Sequence, residues 1–180
     1  MAHFAAIDEN NIVQVTIVVP DDTVTNNGGE YSAQVEQYVK DKFGKNYNSN
    51  YNWKQCSYNH NRRKQYPGIN FSYDPVTDRF IAPKPETYTS WSLNADGDWV
   101  APVERPTIDL WPADTDNVVW KESEQCWYAY IYKTHPTFDE NGVELTPGEY
   151  AKRAWDPGTS SFGEEQASST IERTEDSIRY

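Results

Sequence analysis

The chain reads as a mainly β protein (α+β): an N-terminal hairpin with one helix, then a series of short aromatic β-hairpins, then an extended C-terminal arm. Three observations predict this. Ile12 to Val19 is a β-branched run ended by Pro20. Acidic turn sequences recur between aromatic residues through the middle of the chain. Aromatic residues make up 14% of the chain, with 7 Trp and 13 Tyr against 1 Met. Burial therefore rests on large flat side chains, each covering roughly 150–250 Å² while keeping a polar edge. The bland reading of these residues is a small aromatic core.

The first hairpin joins His3 to Asp8 with Ile12 to Val19 through Glu9-Asn10-Asn11. The second strand is almost continuously apolar, which predicts cover on both faces. Asp21 to Gly29 is polar and reads as a loop. Ser32 is placed to cap a helix, with Val35, Tyr38, Val39 and Phe43 along one face and Gly44 at its end. Asn46 to Asn52 reads as a loop, Trp53 to Tyr58 as a strand, and Asn59 to Pro67 as polar and aperiodic. The basic run Arg62-Arg63-Lys64 within it reads as a solvated loop.

The middle repeats itself. Tyr73 to Phe80 sets an Asp-Pro turn between aromatics, Leu93 to Trp99 an Asp-Gly turn, and Trp120 to Trp127 a weaker third turn. The exits are alike: Phe80-Ile81-Ala82-Pro83, Trp99-Val100-Ala101-Pro102 and Trp127-Tyr128-Ala129-Tyr130. A strand cannot pair through proline, so the first two exits should stop short. Pro83-Lys84-Pro85 and Pro102 to Pro112 are stiff connectors. Asp139-Glu140-Asn141-Gly142 is a turn signal. Thr146-Pro147-Gly148-Glu149 reads as a capping box opening a short helix through Trp155. Pro157 to Tyr180 is rich in Ser, Thr and Glu and should be disordered alone, ordering as an arm against a neighbour. The resulting division is 1–70 (α+β module), 71–132 (repeated hairpins), 133–156 (turn plus short helix) and 157–180 (acidic, polar tail).

A formal net charge of -12 opposes binding to nucleic acid or anionic lipid. Cys56 and Cys126 form neither a disulfide framework nor a CxxC pair; reduced thiols are the default, and one bridge stays open. The opening residues lack a basic region followed by an apolar run, so no signal peptide is expected. Ile12 to Val19 is too short to span a membrane. His3, His60 and His135 show no metal-ligand spacing, and no nucleophile elbow or phosphate loop occurs. Asp96-Gly97-Asp98 and Asp114-Asp116-Asn117 fall short of a calcium loop. Acids are numerous enough for a glycosidase pair but lie mostly in turns, where solvated carboxylates belong. No enzyme, metal or cofactor is expected.

Four tryptophans, Trp91, Trp99, Trp120 and Trp127, are the candidate partner or glycan contacts. Their simpler role is cross-strand pairing within the hairpins.

Several segments also resemble one family. Met1 to Val13 is similar to the start of a small protein of tailed bacteriophages, notably marine and cyanobacterial ones. Trp53-Lys54-Gln55-Cys56-Ser57-Tyr58-Asn59 resembles its Trp-x-Gln-Thr-Ser-Tyr-Asn segment. Tyr66 to Asp74 resembles its Tyr-Ala-Gly-Ile-Gly-Tyr-Thr-Tyr-Asp, and Phe80 to Pro85 and Trp91 to Asn94 follow in its order. The likeness covers about residues 1–102. Asp21 to Asn50 and the region beyond Asp109 depart from it. The resemblance implies a virion or virion-associated protein and carries no catalytic motif. The function expected is therefore structural and tail-associated, at the baseplate, fibre attachment or neck. The alternatives are a capsid decoration protein or a carbohydrate-binding module for host adsorption. Expected partners are other virion proteins, in a homo- or hetero-oligomer, with a host surface glycan as a further candidate. The expected location is the virion, assembled in the host cytoplasm.

Overall fold

The computed structural model describes residues 1–113 and 115–168. The chain divides into two compact units, Met1–Lys84 and a second beginning at Pro85. The division falls in the Pro83-Lys84-Pro85 connector, so the first aromatic hairpin belongs to the first unit and the other two to the second. The architecture is mainly β, as the hydrophobic patterning and turn chemistry predict.

In the first unit, β1 (Ala2–Ile7) lies between β2 (Val13–Val19) and β3 (Asn52–Cys56), antiparallel to both. This corrects the expectation for β2, which is an edge strand with Val18 50% exposed. The strand covered on both faces is β1. Its alternating side chains feed two clusters: Ala2, Phe4 and Ala6 face one way, Ala5 and Ile7 the other. A run of β-branched residues signals strand, but cover is decided by which strand lies in the middle.

Helix α2 (Ala33–Phe43) packs on the first cluster through Val35 and Val39. The Ser32 hydroxyl accepts the Val35 N–H at 3.1 Å, the cap that the sequence predicts. Gly44 does not reverse the chain: at φ -55 it stays right-handed and leads into a 3₁₀ turn, Gly44–Asn46. The segment read as a loop after Pro20 contains a short helix, α1 (Asp21–Asn26). Two acids in its first turn suit the positive end of the helix dipole, and buried Val24 anchors it in the core.

The second cluster is closed by a hairpin of β4 (Ser72–Asp74) and β5 (Arg79–Ile81), where Tyr73 pairs with Phe80 at a ring separation of 5.3 Å. An ionic network locks it on. Glu36 of α2 takes Arg63 Nη1 at 2.6 Å, Lys54 Nζ at 2.8 Å and the Gln55 N–H at 3.1 Å. Arg63 also reaches the Gln55 carbonyl and, through Nε, Asp78 at 2.7 Å. Tyr73 donates its phenol proton to Asp78. Burial alone would lower the Arg63 pKa, but its bond to Glu36 and the charges around it raise it, so it stays charged. The solvated-loop reading therefore fails at Arg63, whose side chain is 8% exposed.

In the second unit, β8 (Thr115–Lys121), β9 (Cys126–Thr134) and β12 (Glu149–Asp156) form one antiparallel sheet. The third hairpin has the predicted register, Trp120 opposite Trp127. Its exit lacks proline, and β9 runs on to Thr134; the two proline exits stop at Ile81 and Val100. The smaller hairpin of β6 (Ser92–Leu93) and β7 (Trp99–Val100) pairs Leu93 with Trp99. Along β8 and β9 the side chains alternate. Val118, Trp120, Trp127 and Ala129 enter one cluster, Val119, Tyr128 and Tyr130 the other.

Two expectations fail here. Residues after Gly148 form strand β12, not a helix: Tyr150 pairs with Tyr132 and Ala151 with Ile131, and this ladder outweighs the local cap. Residues 157–168 of the tail also fold back, adding β13 (Ser161–Phe162) and β14 (Gln166–Ser168) to the outer edge of β12. Phe162 packs edge-on against Trp155 at 5.0 Å. A polar segment needs little core of its own when an open strand edge supplies its hydrogen bonds. Residues 169–180 of the expected arm lie outside the described residues, as does Asp114 of the acidic triplet.

Candidate functional site: an aromatic cleft in the second unit

The cleft is built on the sheet face bearing Trp120 and Trp127. These rings meet edge to face at 5.3 Å and are 3% and 6% exposed. The Trp120 indole donates to Glu122 Oε2 at 2.8 Å, and the Trp127 indole to the Val103 carbonyl at 2.8 Å. Trp91 lies against Tyr88 in a parallel stack at 4.5 Å and reaches Trp127 at 6.4 Å. Arg105, carried by the proline-rich connector, lies 5.6 Å above Trp111 and 5.8 Å above Trp127, and donates to the Val118 carbonyl.

Glu122 fastens the Tyr88–Trp91 turn to the sheet. It accepts from Thr89 Oγ1, the Ser90 N–H, Ser90 Oγ and the Trp120 indole. Desolvation would raise its pKa, but these donors outweigh it and hold the carboxyl at about 2, below its usual 4.5. A carboxylate lowered on folding stabilises above its unfolded pKa, and that contribution is lost as pH falls through the folded value. Wild type should therefore lose stability between pH 4.5 and about 2 more steeply than Glu122→Gln. Acid titrations of urea midpoints followed by tryptophan fluorescence check this; parallel curves would refute it.

Trp91, Trp99, Pro102, Glu104, Arg105 and Trp127 line an open cleft of about 600 Å³. Of the four candidate tryptophans it gathers three. Trp120 is sealed in the core, and Trp127 shows the cleft only the little surface it exposes. Trp91 and Trp99 are half-buried. The Trp91 indole N–H is buried and has no hydrogen-bond partner among the described residues. The lining offers ring faces, one guanidinium and one carboxylate, and no histidine, cysteine or hydroxyl. Arg105 and Glu122 carry no sequence signal of their role: one sits in a connector, the other in a turn.

Each histidine is engaged elsewhere. His3 stacks on Tyr58, His60 accepts the Tyr66 N–H, and His135 stacks on Tyr132. Cys56 and Cys126 are free thiols. Burial pushes Cys56 up to about 12, with Arg63 opposing, which keeps its thiol protonated at neutral pH. Among the described residues, no group of three or more His, Cys, Asp or Glu could hold a metal ion, and no helix is long and apolar enough to cross a membrane. No protein-family model, curated protein or solved structure matches the chain.

Proposed function

We propose that the chain is a structural subunit of a tailed-phage particle, tail-associated at the baseplate, fibre attachment or neck, that acts by being held between neighbouring proteins. The observation that carries this is a hairpin of β10 (Thr137–Phe138) and β11 (Glu144–Thr146) in the second unit. Every residue of both strands is exposed. Asp139 closes its turn by accepting the Asn141 and Val143 N–H groups, and Gly142 takes φ 79. Phe138, Val143 and Leu145 are 55%, 59% and 66% exposed. A two-stranded hairpin is marginal by itself. Large apolar side chains clustered on one are explained by a partner that covers them, at roughly 25 cal/mol per Å² removed from water. Asp139, Glu140 and Glu144 favour a partner surface that sets Lys or Arg around an apolar socket.

The resemblance over residues 1–102 supports the phage assignment. A capsid decoration protein would use the same hairpin at another place in the particle. The aromatic cleft favours a second reading, a host-adsorption module in which Trp91 and Trp99 stack on a glycan.

The double variant Phe138→Ser with Leu145→Ser should change the stability of the isolated chain by no more than about 0.5 kcal/mol, because both residues are exposed. Its incorporation into particles should fall at least tenfold, read by quantitative mass spectrometry of purified virions. Normal incorporation, or a virion map with the hairpin uncovered and a single contact smaller than ~800 Å² per partner, would overturn the proposal.

A further inference from the structure

The first unit has a cleft of its own, about 560 Å³, where the start of β1 meets the end of β3. Tyr31, Ser57, Tyr58, Asn59, Asn61 and Arg62 line it, and none of them was a sequence candidate. Its chemistry differs from that of the aromatic cleft: two phenols, a hydroxyl, three amides (Gln55, Asn59 and Asn61), the His3 imidazole and the Cys56 thiol surround it, with Glu30 and Arg62 opposite in charge.

Two rings are held ready there. Tyr58 is 67% exposed yet not loose. It stacks on His3 at 5.8 Å and 25°, and meets Tyr66 edge-on at 5.6 Å, while His3 itself stands edge-on to Tyr66 at 5.4 Å. Tyr31 carries the Arg62 and Arg63 guanidinium groups over its ring, at 5.2 and 5.6 Å. The backbone of Tyr31 is left-handed, φ 56, and is pinned by its N–H donating at 2.6 Å to the side chain of Gln55, which is 2% exposed. His60, Arg63 and Lys64 are left-handed as well, at φ 55, 50 and 69. Side-chain-bearing residues resist this conformation, and such residues cluster at ligand sites. Delivery of Arg63 to Glu36 explains the strain at Arg63 and Lys64. Tyr31, under Arg63 and bonded to Gln55, belongs to the same arrangement, but none of it accounts for Tyr58, exposed while stacked on His3.

We propose that this cleft binds an uncharged saccharide. A pyranose offers a flat C–H face to Tyr58 and hydroxyls to the polar groups around it. Asn59 supplies donors and an acceptor, Asn61 supplies donors while its oxygen takes the Ser57 hydroxyl, and Arg62 supplies donors. A net charge of -12, with Glu30 in the lining, works against phosphate, sulfate or carboxylate ligands. The polar lining works against an apolar ligand, and the volume is that of an ordinary small-molecule site. The assignment does not rest on the particle role; a chain that binds no sugar is still held through its hairpin.

The test is a ¹H–¹⁵N titration of the full chain with neutral glucan, galactan, mannan and N-acetylhexosamine oligomers, and with a sulfated galactan oligomer for comparison, to about 10 mM, the range of weak single-site affinity. At least one should shift amides confined to residues 30–31 and 57–62. Tyr58→Ala, at an exposed position, should weaken that binding about tenfold while the remaining spectrum is unchanged. Asn59→Ala should weaken it as well. No shifts with any oligomer, shifts centred on Trp91 and Trp99 instead, or stronger binding of a sulfated glycan would each overturn the proposal.

Discussion

Arg63→Ala lowers the stability of the first unit by about 3–5 kcal/mol, the usual penalty for removing one partner of a buried ion pair. Glu36 is 8% exposed and takes three donors. Lys54 and the Gln55 N–H remain after the substitution, but the 2.6 Å guanidinium contact does not, and the Gln55 carbonyl and Asp78 lose a donor too. Helix α2, strand β3, the 57–65 loop and the β4–β5 hairpin all meet at this one side chain. Arg63→Lys should restore only part of the loss, since one ammonium cannot reproduce the planar fork that reaches Glu36 and Asp78 together. Arg63→Met with Glu36→Leu should cost much less than Arg63→Ala, because no buried charge is then left without a partner. Urea denaturation of the variants measures this. A loss under about 1 kcal/mol for Arg63→Ala would mean the pair behaves as a surface ion pair and the reading is wrong.

Trp127→Ala costs the second unit about 3–5 kcal/mol, the range for truncating a core tryptophan. The ring is 6% exposed and central. It meets Trp120, reaches Trp91, lies under Arg105, and its N–H is the donor to the Val103 carbonyl. Trp127→Phe keeps a ring but leaves that carbonyl without its donor, so it should fall between wild type and alanine. Trp99→Ala, at a half-buried position on a two-residue strand, should cost far less. Thermal melts with near-ultraviolet circular dichroism separate the three. Equal losses for Trp99→Ala and Trp127→Ala would remove the distinction drawn between a cleft wall and a core ring.

What could be read without the structure is what neighbouring residues settle among themselves. The Ser32 cap, the Asp139–Gly142 turn and the Trp120–Trp127 register depend on side chains a few positions apart, and all three are present. The same holds for the proline-ended strands, where one missing N–H stops the ladder whatever lies beside it. Of the candidate site, the aromatic composition was legible but not its division between core and surface. Trp91 and Trp99 line a cleft while Trp120 is sealed, and nothing in the spacing of four similar tryptophans separates them.

The sequence by itself determined a mainly β protein of short aromatic hairpins with one capped helix, because turns, caps and strand runs are local free-energy choices. Only the tertiary structure decided which strand is central, that the Glu149–Asp156 segment is a strand, that the polar tail pairs with its edge, and that Arg63 is buried while Phe138 and Leu145 are not. Each of these turns on a partner distant in the chain. Pairing with β9 outweighs a capping box, and a buried Glu36 draws an arginine out of a basic run, because ladder hydrogen bonds and paired charges exist only once the distant groups have met.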